Sequence, residues 1–88
     1  MKVLAICRPR PDTEFSEIVK HLPEEAKALE GWRDEGILLE AYSPGGPGAV
    51  LILDVMDAES ATSMLSALPL RIAGLIEIET ISLYPLEY

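Results

Sequence analysis

The run AVLILDV at residues 49–55 constrains this chain more than any other stretch. A strand with one face in water alternates apolar and polar residues, yet Val50, Leu51, Ile52 and Leu53 are apolar in both phases. Such a strand is covered on both sides. The same pattern recurs in Val3, Leu4, Ala5 and Ile6, and again in Ile37, Leu38 and Leu39, so a whole sheet asks for two covers. The 88 residues form one domain, 1–88, and a domain of this size buries only about 60–65% of its unfolded surface. Association would add core.

The remaining elements follow from spacing. Lys2 to Arg8 reads as a strand, closed by prolines at 9 and 11. Asp12 or Thr13 is placed to cap a helix in which Phe15, Ile18, Val19 and Leu22 recur at helical spacing. Pro23 followed by Glu24 and Glu25 suits the first turn of a fresh helix, so two helical pieces with a kink or offset at Leu22 and Pro23 are expected. The second piece continues through Ala26, Leu29 and Trp32 and ends at Gly36 in a left-handed cap. Ile37 to Ser43 and Ala49 to Val55 form a hairpin around the turn SPGGPG. Asp57 caps a helix with Ala58, Ala61, Met64, Leu65 and Leu68 on one face, and Pro69 stops it. A last strand runs from about Leu75 to Tyr84, followed by the tail PLEY.

The order strand, helix, strand, strand, helix, strand is the ferredoxin-like β-α-β-β-α-β arrangement, an α+β fold with a four-stranded antiparallel sheet. Right-handed crossovers put both helices on one face. The second apolar face would expose a patch larger than monomers tolerate, and a second copy packing sheet to sheet is the simplest closure.

Charge and cysteine content narrow the partners. A net charge of −8, from 15 acids against 7 Lys and Arg, repels nucleic acid and anionic membranes. Cys7 is the sole cysteine and His21 the sole histidine, so neither an internal disulfide nor a Cys/His metal cluster is expected, and a reducing cytoplasm fits best. MKVLAIC is too short in its apolar run for a signal peptide or a membrane span. The loop PGGPG leads into a strand, which makes it a hairpin turn and not a phosphate cradle.

The candidate chemistry rests on acids in apolar settings. Glu25 borders the Leu22, Ala26 and Leu29 stripe, Glu40 shares a strand face with Tyr42, and Glu77 and Glu79 interrupt the last strand. A carboxyl beside an apolar pocket gains affinity for protons, as a group that shuttles a proton near neutral pH requires. Each also has a bland reading: Glu25 at a helix N-terminus, Glu77 and Glu79 on the solvent side of an edge strand. Cys7 with His21 makes a nucleophile and base pair only on paper, since a cysteine in an apolar strand is normally core. Arg8 is a candidate anion anchor, and Trp32 and Tyr42 are core or pocket wall.

Four stretches carry a resemblance to the muconolactone isomerase family of dimeric α/β-barrel proteins: EAKALEGWRDEG at 25–36, AVLILDV, LPL at 68–70 and IEIETISLYP at 76–85. The resemblance implies a dimer and a pocket between sheet and helices. It also implies proton transfer on a small organic acid or lactone, with Glu25 or Glu40 as acid/base and Tyr42 or His21 orienting the substrate. Glu25 and Glu77 fall on acidic positions of the pattern, Tyr84 stands where the family has a histidine, and EAYS at 40–43 stands where the isomerases carry a Trp-Arg pair. The chain also resembles the YCII-like proteins, with His21 in place of their helix histidine and Leu68 and Pro69 in place of their Asp-Pro acid. No cofactor is expected. The other reading is a non-catalytic module that binds a hydrophobic metabolite or serves a partner enzyme.

Overall fold

The structure, a computed structural model, describes residues 1–87, so the last residue of the expected tail lies outside it. Seven elements follow in order: β1 (Lys2–Pro9), α1 (Phe15–Asp34), β2 (Leu38–Tyr42), β3 (Ala49–Asp54), α2 (Ala58–Ser66), α3 (Pro69–Ile72) and β4 (Ile76–Leu83). The four strands form one antiparallel sheet in the order β2-β3-β1-β4. This is the ferredoxin-like α+β fold, with the helices on one face.

The register sorts the side chains between the two faces. Val3, Ala5 and Cys7 of β1 pair with Leu53, Leu51 and Ala49 of β3, and their side chains lie under the helices. With Ile18, Ala61, Leu65, Leu68, Leu70 and Ile76 they make the core. The opposite face carries Leu4 between Ile52 and Ile81, and Ile6 between Val50 and Glu79. Leu4, Ile6, Val50 and Ile52 are only half-buried in the single chain, and Ile81 and Leu83 are exposed. The two-phase pattern of AVLILDV thus leaves one set of side chains in the core and the other on an uncovered sheet face.

The loop before α1 and the course of α1 both depart from expectation. Neither Asp12 nor Thr13 caps the helix; Glu14 stands at the N-cap without a side-chain hydrogen bond. Asp12 is spent on a left-handed turn with φ of 67°, and Thr13 Oγ1 donates to the Leu75 carbonyl. Pro23 does not divide the helix, which runs unbroken for 20 residues. The hydrogen bond lost is the one to the Val19 carbonyl. Val19 and Pro23 both lie on the exposed side of the helix. Ala26 is exposed as well, so the inward stripe of the second half is Glu25, Leu29 and Trp32. The helix ends as expected: Gly36, at φ of 79°, donates to Arg33 and Ile37 donates to Trp32, a Schellman pair.

Asp57 accepts from the Ser60 amide at 2.7 Å and starts α2. Pro69, expected as a stop, instead occupies the first turn of α3, where its missing N–H costs nothing. In the hairpin turn Gly48 is obligatory, because a Cβ there would stand 2.6 Å from the Cys7 carbonyl at a φ of 118°. The turn is thereby pressed against β1.

Candidate active site

A cavity of about 250 Å³ opens between the N-terminal half of α1, the inner face of β1 and β3, and the turn 46–48. Cys7, Ile18, Leu51, Leu70 and Ile76 make its buried wall. Phe15 and Leu22, 59% and 42% exposed, stand at its mouth with Gly46 and Pro47. The helical spacing of Phe15, Ile18 and Leu22 therefore marks a pocket wall as much as a core.

One carboxyl enters this apolar space. Glu25 is 8% exposed, and its Oε1 accepts the Leu70 amide N–H at 3.0 Å. That amide is an orphan donor of the first turn of α3, so Glu25 ties the two crossovers together. Burial raises the proton affinity of Glu25 above the ordinary carboxylate range, and the Leu70 N–H and the nearby His21 offset only part of the rise. Burial, and after it the Glu25 charge, push the Cys7 thiol up to about 11. Cys7 is thus a protonated neighbour of Glu25 and not an activated nucleophile.

The linkage sign for Glu25 follows from that rise. An unfolded carboxyl titrates near 4.5 and the folded one higher, so the stability Glu25 contributes is complete below pH 4.5 and is lost as pH climbs through the raised value. Glu25→Gln removes this dependence. Urea midpoints measured from pH 4.5 to 8 should show the variant gaining on the wild type as pH rises. A gap that stays constant would refute the raised affinity.

The other expected site residues lie elsewhere. His21 is one turn before Glu25 on α1, half-buried and outside the cavity wall. Trp32 packs on the core near the far end of α1. Glu40 pairs with Ile52 and Tyr42 with Val50, which puts both on the uncovered sheet face, away from the cavity. Arg8 and Glu77 are opposite one another on that same face, and Arg8 Nη1 meets Glu79 Oε1 at 3.0 Å in an exposed ion pair. Of these seven candidates Glu25 alone lines the cavity; Cys7, weighed as a nucleophile, lines it as a protonated thiol. What sequence reasoning missed is the Leu70 amide and the turn 46–48 as a wall; proline at the first helical position was the available signal for the former. Among the described residues no group of three or more His, Cys, Asp or Glu side chains is gathered as a metal site, and no helix is long and apolar enough to cross a membrane.

Neither a family model nor a curated protein matches the sequence. Solved structures do match in fold. One is the muconolactone isomerase structure, with a TM-score of 0.78 at 18% identity, covering 98% of this chain and 91% of that one. Another is the 5-chloro-2-hydroxyhydroquinone dehydrochlorinase TftG of Burkholderia phenoliruptrix AC1100 in complex with 2,5-dihydroxybenzoquinone. It too gives a TM-score of 0.78, at 16% identity, covering 96% of this chain and 94% of that one. Identities this low establish a shared fold.

Proposed function

We propose that the protein is a muconolactone-isomerase-like enzyme that moves a proton on a small organic molecule held in the cavity, with Glu25 as the acid/base. The observation that carries this reading is the buried carboxyl with raised proton affinity at the wall of an otherwise apolar cavity. His21, one turn away, modulates the charge of Glu25 and does not touch the reacting atoms. The fold shared with an isomerase and a dehydrochlorinase supports the same class. Two copies pair through their uncovered sheet faces into an α/β barrel, where Glu40, Tyr42, Arg8 and Glu77 belong to the interface and its rim. A reducing cytoplasm suits the free thiol of Cys7.

The test is hydrogen exchange from simple enol-lactones in deuterated water, followed by NMR. The protein should speed exchange, and Glu25→Gln should lose about 10²–10⁴-fold of that rate, the usual contribution of a positioned general base, while its circular dichroism is unchanged. Exchange equal with and without protein overturns the enzyme reading. A binding module then stands in its place, a reading favoured by the hydrogen bond from Leu70, which gives Glu25 a structural reason to be there.

A further inference from the structure

The charge of a ligand is decided by what surrounds it once its water has gone. Among the described residues lining the cavity there is no Lys, Arg or His, and the only ionisable groups are Glu25 and the Cys7 thiol. Arg8 is paired with Glu79 on the opposite sheet face, and Arg10, His21 and Arg71, chain neighbours of the lining residues Pro9, Leu22 and Leu70, are not part of the wall. A carboxylate entering here would shed its hydration shell, find no counter-charge, and face the Glu25 carboxyl. The net charge of −8 adds repulsion before entry.

Size and hydrogen bonding restrict the ligand further. A dry cavity of about 150 Å³ holds benzene, so one of about 250 Å³ has room for a single ring with short substituents. One oxygen of Glu25 accepts from the Leu70 amide; the other accepts from no described residue and is not closed off from solvent. That oxygen is left to hydrogen-bond a polar group on the ligand, as acceptor when the carboxyl is ionised and as donor when it is protonated. Everything else that the ring would touch is apolar wall.

Resting on the reading of the cavity as the functional site, we infer that it takes an uncharged single-ring compound with a polar group hydrogen-bonded to Glu25, and that it rejects carboxylates. The choice between an organic acid and a neutral lactone thus falls on the neutral molecule. The selectivity comes from the missing cation and not from the shape of the cavity.

Methyl benzoate and benzoate are a matched pair of probes, equal in ring and different in charge. Titrated at pH 7 into isotope-labelled wild-type protein, methyl benzoate should shift the amide signals of Cys7, Leu51 and Leu70, with an affinity at least tenfold above that of benzoate. Benzoate binding as tightly as the ester at the same amides overturns the charge rule and leaves the cavity as a ligand site. Silence of those amides toward both probes removes the site itself, and the rule with it. Leu22→Arg, at the half-exposed mouth where a long side chain can reach water, supplies the missing cation. It should raise benzoate affinity at least tenfold; no gain would mean that something other than the absent charge excludes the anion, and the rule would fall.

Discussion

On the sheet pairing proposed above, replacing Ile52 with glutamate should leave a folded monomer. Ile52 sits at the middle of the uncovered sheet face, with Leu4 on one side and Glu40 on the other. It takes no part in the core under the helices, so the single chain tolerates the change. A two-fold pair brings the substitution in twice, and each copy loses about 1.5–3 kcal/mol of side-chain burial and adds a charge beside Glu40. Dissociation should strengthen by at least a hundredfold, read by sedimentation or native mass spectrometry, with circular dichroism unaltered. A wild-type chain that is already monomeric at micromolar concentration would end the sheet-pairing proposal outright.

The second large effect is in the core. Leu53, fully buried, pairs with Val3 on one side and Leu38 on the other, so cutting back its side chain leaves a cavity in the core. Leu53→Ala should cost about 2.7–5 kcal/mol. A domain of 88 residues has a total of roughly 4–13 kcal/mol to lose, so the variant sits near the unfolding threshold, with its melting temperature lowered by more than about 10 °C. Thermal unfolding at two protein concentrations checks this and the association together, because binding of a second copy raises the midpoint with concentration. A loss below about 1 kcal/mol would mean that Leu53 is not the closed core position described here.

How legible all this was in the residues depends on the period of each signal. The apolar runs of β1 and β3 and the Asp57 cap are local patterns with one physical meaning, and the element order with the right-handed crossover rule leaves a single topology. Prolines were the ambiguous signal. Pro23 and Pro69 both satisfy the rule for a first helical position, yet only Pro69 starts a helix. Pro23 survives inside α1 on the exposed side of the helix, a fact about its surroundings that local sequence does not contain. For the site, the apolar setting of Glu25 was readable from its helical neighbours. The face on which Glu40 and Tyr42 lie was not, because it depends on the β-bulge between Leu38 and Glu40 and on register with Ile52 and Val50.

That bulge has a bearing on how the protein survives being concentrated. β2 and β4 are the two margins of the sheet, where unpaired backbone groups invite another chain to add sideways. β2 is only five residues long and kinked by its bulge, and β4 carries Glu77 and Glu79 and runs into Pro85 two residues after its last strand position. Neither margin is a good template for lateral growth into fibres. In the proposed two-fold pairing, contact between copies falls on the broad flat side of the sheet, which uses up the sticky surface and leaves polymerisation nowhere to continue.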